Sequence, residues 1–317
     1  MEKISLGKTF DSNLQFDLYH SKTKEALGLI QISHGMAEHK ARYVNFINYF
    51  NQHGYHVAIY DHRGHGERII DGKIGFFNKD NGWELVVVDL IKVHEETNRL
   101  FPKLPKILLG HSMGSWIGLA AMQRKSFFDA ALISGSSYPN VIQTALQKIF
   151  LNFETLRLGK DGYSKFLHKI IFGGFNSKFR DVETPNDWLT RDRMSVDNYT
   201  KDPLCGFVVS NQLWTDVIYG IEEVFKKKNL KLLDKEIPLL VFSGTKDPVS
   251  NMGKGAVKLY ECLKDCNCKP ELYLVDGARH ETLNETDKMT TYNYVLDFLI
   301  NRPVSYTHLT LPTNREV

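Results

Sequence analysis

Six short runs, apolar along nearly their whole length, recur through the chain: GLIQIS (28–33), HVAIYD (56–61), KILLGH (106–111), AALISG (130–135), PLLVFSG (238–244) and ELYLVDG (271–277). Strands buried on both faces read this way, because neither side of the pleat meets water. Between the runs lie amphipathic helical patterns over 41–53, 83–99, 114–125, 254–264 and 287–301. Alternating strand and helix predicts an α/β architecture, with a mainly parallel central sheet and helices on both faces. Most of the runs end on Gly, Asp or His. The carboxyl ends of parallel strands are where such sheets carry their chemistry.

The alternation breaks between Pro139 and Leu233, where helical patterns occur without a good strand. VIQTALQKIFLNFETL (141–156) places apolar residues at 142, 145, 146, 149, 150 and 153, a helical stripe. The expected organisation is a core of 1–138 and 234–303, with a helical cap of 139–233 inserted between two strands. The last residues, VSYTHLTLPTNREV (304–317), have neither periodicity and resemble a translated sequencing-library adaptor. They are read as a non-native tail and left out of the fold.

With 317 residues, 42% hydrophobic and 24% charged, the chain has length enough for one large core. Its net charge of +3 comes from interspersed acids and bases. The one short basic run, Lys226–Lys228, reads as a solvated helix end, so no nucleic-acid partner is expected. The opening residues lack the apolar segment of a signal peptide. No stretch reaches the roughly 18–20 apolar residues of a membrane helix. Cys262, Cys266 and Cys268 are spaced C-x3-C-x-C, not as the paired C-x2-C of structural zinc, and read as reduced surface thiols. A cytoplasmic protein without a metal or organic cofactor is expected.

LLGHSMGSWIGLAAM (108–122) passes from a strand pattern to a small-residue helix through Gly110-His111-Ser112-Met113-Gly114. A sharp strand-to-helix turn lifts a serine hydroxyl clear of its own backbone. Side chains two residues to either side would collide there, which glycine avoids. The helix that follows turns its positive end toward an oxyanion.

A serine nucleophile needs a base and a carboxylate to orient that base. Asp247 stands at the end of one later strand, in VFSGTKDPVS (241–250), and His280 in the loop after the next, in LYLVDGARHETLNE (272–285). Ser, acid, His is the chain order this architecture uses. Asp276 and Asp216 are rival acids. For an oxyanion hole, the Met113 N–H follows the nucleophile, and His34-Gly35-Met36 offers the Met36 N–H. Each such donor is worth about 3–4 kcal/mol in the transition state.

HGMAEHKARY, YDHRGHGER, GHSMGS, SGTKDPV and GARHE together resemble the α/β-hydrolase family, specifically its monoacylglycerol lipase and lysophospholipase group. The similarity spans nearly all of residues 10–302. It implies Ser112, Asp247 and His280 as catalytic triad, Met36 and Met113 as oxyanion donors, and 139–233 as a cap over an acyl pocket. It also implies that Asp61, His62 and His65 belong to a structural loop rather than a metal site. His111 reads as packed beside the nucleophile. Ala37 departs from the family, which often carries glycine there.

The expected reaction is acyl transfer from a small-molecule ester to Ser112, then hydrolysis. Phe150, Phe153, Phe166, Ile170, Ile171, Phe172 and Phe175 favour an apolar acyl group and brief contact of the cap with lipid. Two alternatives stand beside this. A prolyl-type aminopeptidase would need an acidic pocket, for which Glu154, Asp181, Glu183 and Asp187 are candidates. A non-catalytic binding protein on the same scaffold should lack a triad member, and none is missing.

Overall fold

The computed structural model describes residues 1–9, 12–69, 71–124 and 128–301; the segment 304–317 lies outside them. In chain order the elements are β1 (Glu2–Thr9), β2 (Ser12–Tyr19), β3 (Gly28–Ser33), α1 (Val44–Gln52), β4 (Tyr55–Ile59), α2 (Gly82–Leu100), β5 (Lys106–His111), α3 (Met113–Met122) and β6 (Ala130–Ser134). There follow α4 (Val141–Leu158), α5 (Lys165–Asn176), α6 (Arg193–Lys201), α7 (Asn211–Val224), α8 (Lys227–Leu230), β7 (Leu239–Gly244), α9 (Lys254–Asp265), β8 (Pro270–Val275) and α10 (Lys288–Asn301). The eight strands form one sheet in the order β1-β2-β4-β3-β5-β6-β7-β8. From β4 to β8 every neighbouring pair is parallel, and β2 runs antiparallel to both β1 and β4.

Side chains alternate across each strand, so the sheet has two apolar faces. Leu29, Ala58 and Leu108 face α2, α3 and α9, while Ile30, Ile32, Ile107 and Leu109 face α1 and α10. All six strands expected from the apolar runs are present. The N-terminal hairpin β1–β2 was not anticipated, although Leu14, Phe16 and Leu18 alternate with polar residues and are all buried. β8 closes one edge and is only half-buried along most of its length, so its expected burial on both faces is corrected.

Five helices, α4 to α8, connect β6 to β7. The first of them is turned inside out. Thr144, Gln147, Leu151 and Glu154 face inward, while Val141, Ile142, Leu146, Ile149, Phe153 and Leu156 are exposed, Leu156 at 89%. Phe166 and Ile170 of α5 are exposed as well. Phe172 and Phe175 instead pack inward, their rings 5.9 and 5.0 Å from that of Trp188. The reading of the clustered cysteines as surface thiols is corrected too. Cys266 and Cys268 are buried and Cys262 is half-buried, all packed on the core at the end of α9. Among the described residues, no helix is long and apolar enough to cross a membrane.

Candidate active site

Ser112 sits between β5 and α3 with φ 51° and ψ −121°, in the left-handed region that a non-glycine residue adopts only when its surroundings enforce it. The enforcement is close packing. A Cβ at position 114 would lie 2.0 Å from the Ser33 carbonyl oxygen, and one at 110 would lie 2.6 Å from the Ser115 Cα. Only glycine permits these approaches. The turn is tied to the sheet by the Ser112 N–H, which donates to the Ser134 carbonyl at 2.9 Å.

The same closeness brings the loop after β3 against the elbow, since a Cβ at Gly35 would stand 3.3 Å from the Ser112 Cβ. Met36 follows in that loop. Met113 opens α3, and the first N–H groups of a helix have no carbonyl of their own helix to bond. The loop is braced by Glu38, whose Oε1 accepts from the Gly35 N–H at 2.5 Å and from the Tyr43 hydroxyl at 2.9 Å. Ala37 holds φ 54°, a left-handed conformation.

His280 and Asp247 come together across two loops, Nδ1 to Oδ1 at 3.1 Å. Both are buried. Ser243 Oγ donates to Asp247 Oδ2 at 2.8 Å, and the Val249 N–H donates to Oδ1 at 2.9 Å. Burial works against the Asp247 carboxylate, but His280 and these donors outweigh it and hold its pKa below the ordinary value. Burial likewise disfavours the charged imidazole of His280, and Asp247 overcomes this, raising its pKa above 6.5. With Nδ1 engaged by the carboxylate, Nε2 remains for a substrate or nucleophile proton. No hydrogen bond joins Ser112 Oγ to His280 among the described residues. His111, the residue before the serine, has its ring centroid 4.9 Å from that of His280. Burial pushes the pKa of His111 down to about 4, so it stays neutral and packs, as its position suggested.

The rival acids fall elsewhere. Asp276 is exposed at a turn, 3.3 Å from Thr245 Oγ1. Asp216 is buried on α7 against the start of α2. The loop of Asp61, His62 and His65 is structural. Asp61 accepts from the backbone N–H of Lys40 and of Glu67 at 2.8 and 2.9 Å. Burial holds the His65 pKa down to about 3, and His62 well below its ordinary value.

Two features were not legible beforehand. Arg42 joins the loop of Met36 to the loop of His280, bonding Glu38 at 2.8 Å and Glu281 at 2.5 and 2.6 Å. The helical insert also clamps the base: Trp188 O and Leu189 O accept the N–H groups of His280 and Glu281 at 3.5 and 2.7 Å, and the Trp188 ring lies 5.3 Å from that of His280. His39, Asp202 and Cys205 bring one donor atom each within 4.8 Å of one another, a possible metal set. His39 Nε2 and Asp202 Oδ2 already bond each other at 2.8 Å, and burial keeps the Cys205 thiol protonated. The trio acts as a clip between insert and core.

A sheet of this order with a strained serine at the β5–α3 turn defines an α/β-hydrolase. The family model described as serine aminopeptidase, S33, matches residues 24–287, and the chain belongs to that family. It is similar to a monoglyceride lipase homolog of Monkeypox virus, 26% identical over 274 residues, 82% of this chain and 84% of that one. It is also similar to the monoglyceride lipase of Homo sapiens, 27% identical over 288 residues, 88% of this chain and 84% of that one. A thermostable carboxyl esterase from Bacillus coagulans shares the fold, with TM-score 0.86 and 23% identity over 96% of this chain and all of the other.

Proposed function

We propose that the protein is a serine carboxylic-ester hydrolase that cleaves monoacylglycerol- or lysophospholipid-like esters through an acyl-enzyme on Ser112. The observations that support this reading are the buried His280–Asp247 pair and a serine held in a strained elbow whose preceding residue, His111, packs on the His280 ring. His280 Nε2 takes the Ser112 proton as Oγ attacks the ester carbonyl. Asp247 fixes the tautomer and stabilises the imidazolium that forms. The N–H groups of Met36 and Met113 hold the oxyanion. His280 then gives its proton to the departing alcohol, and water activated by the same ring releases the acid.

The outward apolar face of α4 and α5 supports a lipid-derived acyl group. We assign residues 139–233 the role of a cap that touches a lipid surface through that face while the acyl chain enters beneath it. Four free cysteines agree with a cytoplasmic site of action. Three of the four acids offered for an aminopeptidase pocket are already engaged: Glu154 bonds Arg157, and Glu183 and Asp187 both bond Arg193; the fourth, Asp181, is exposed among cationic side chains.

A hydrolysis panel spanning acyl length and head group, with an aminoacyl amide included, tests the reading. Ester cleavage favouring medium or long chains is expected, together with fluorophosphonate labelling at position 112. Wild-type esterase activity in a folded Ser112→Ala protein would overturn it.

A further inference from the structure

A cleft of about 270 Å³ lies at the seam between insert and core, lined by Lys178, Arg180, Asp181 and Arg191 of the insert and Lys246 and Arg279 of the core. Five of these six side chains are cationic. Such a concentration is opposed by its own repulsion unless an anion neutralises it. Arg191 is the exception, since its Nε bonds Glu285 at 2.9 Å and its Nη2 bonds Asp287 at 2.8 Å. Lys178, Arg180, Lys246 and Arg279 make no salt bridge among the described residues, although Arg279 feels the Glu285 and Asp187 carboxylates at longer range.

Two of the three guanidinium groups, those of Arg191 and Arg279, are held in place. Arg279 lies over the Phe179 ring, 4.1 Å from its centroid, and its Nη1 donates to the Asp187 and Thr190 carbonyls. Its Nε and Nη2 make no hydrogen bond among the described residues. Arg191 Nη1 is also uncommitted, and it stands 3.0 Å from where a Cβ of Gly277 would be. Glycine at that place, with φ 67°, leaves the floor open beneath the guanidinium. Fixed, planar donors converging on one space are the arrangement that recognises phosphate oxygens.

We infer that this cleft is a binding site for a phosphate group, distinct from the Ser112 centre and bridging insert to core. Lys178 and Arg180 approach the anion from the insert, Lys246 and Arg279 from the core. Lys246 and Arg279 each precede a member of the Asp247–His280 pair in sequence, so an anion here braces both of those loops from behind. The phosphate belongs either to a small soluble molecule or to a lipid head group.

The test is calorimetric titration of the full chain with inorganic phosphate at low salt, beside co-sedimentation with vesicles of phosphatidylcholine with and without phosphatidic acid. Wild type is expected to bind inorganic phosphate, phosphatidic acid vesicles, or both. The K178E/R180E variant should bind at least about tenfold more weakly while its phosphate-free rate on a soluble ester is unchanged. Amide exchange across 176–191 should slow when the anion binds. Phosphate binding identifies a soluble ligand, and binding of phosphatidic acid vesicles alone identifies a head group; either supports the site. Absence of both, or affinity equal in wild type and variant, overturns it, whatever the ester panel shows.

Discussion

His280 Nδ1 and Asp247 Oδ1 meet at 3.1 Å across the loops after β7 and β8, with both side chains shielded from water. Only one ring nitrogen of His280 is thereby left for chemistry. The carboxylate raises the pKa of the imidazole, and the base must be neutral to accept the Ser112 proton. The acid limb of kcat/KM is therefore expected above pH 6.5, with activity lost as pH falls through it. Asp247→Asn should lower the rate by about a thousand- to ten-thousand-fold and move that limb to lower pH. A pH–rate profile on a soluble ester checks both.

Arg42 is the shared partner of two buried carboxylates, Glu38 and Glu281. Burial raises the Glu38 pKa, but Arg42 foremost, with His111 and His34, brings it to about 2. Replacing Arg42 by Gln leaves both charges unpaired. A loss of about 3–5 kcal/mol in urea unfolding is expected. Adding Glu38→Gln to Arg42→Gln should recover part of it, because one of the stranded charges is gone.

His34, His62, His65 and His111 are buried with pKa values below the ordinary 6.5. The unfolded chain then binds more protons than the native one as pH falls below that value, so stability falls with it. The slope is about 1.4 kcal/mol per pH unit for each proton taken up on unfolding. His280, with its raised pKa, acts in the opposite sense, as one group against four. Thermal unfolding measured between pH 7 and pH 4 should show a steadily falling midpoint.

The exposed side of α4 should matter to lipid and not to folding. Changing Ile142, Phe153 and Leu156 together to Gln is expected to shift stability by no more than about 0.5 kcal/mol per site. Binding to phosphatidylcholine vesicles, read by co-sedimentation, should drop, while hydrolysis of a soluble short-chain ester stays at the wild-type rate.

Ala37 carries a left-handed backbone at φ 54°. A Cβ in that region costs about 1–2 kcal/mol, and the extra freedom of glycine in the unfolded chain returns about 0.5–1 kcal/mol of it. Ala37→Gly should therefore stabilise the protein by up to about 1.5 kcal/mol, seen as a small rise in Tm by calorimetry.

Much of this arrangement was readable from local pattern. The six apolar runs gave their strands, and Gly110 and Gly114 marked the elbow, because each depends on neighbours within a few residues. The β1–β2 hairpin leaves only the alternation of Leu14, Phe16 and Leu18 with polar residues, a weaker signal than an unbroken apolar run. Arg42 with Glu281, and Trp188 against His280, join residues far apart in sequence, and no spacing rule reveals such pairs. The apolar stripe of α4 was legible, but its direction was not. Periodicity tells that a helix has an apolar face; what that face meets depends on the rest of the fold.

The insert leaves the sheet at the end of β6 and re-enters at β7, and these two strands are hydrogen-bonded neighbours. The two strands run parallel, with Ser134 paired to Phe242 and Leu239 paired to Ala131, so the exit and the entry lie at opposite ends of the strands, about 10 Å apart along the sheet. The chain must recross the face of the sheet between them, and α7 does so, with Leu213, Trp214, Val217 and Ile218 packed in the same core as α2 and α3. A segment grafted there from another hydrolase must therefore bring, or leave in the host, a crossing helix that covers the sheet as α7 does, while Asp247 and His280 stay with the host.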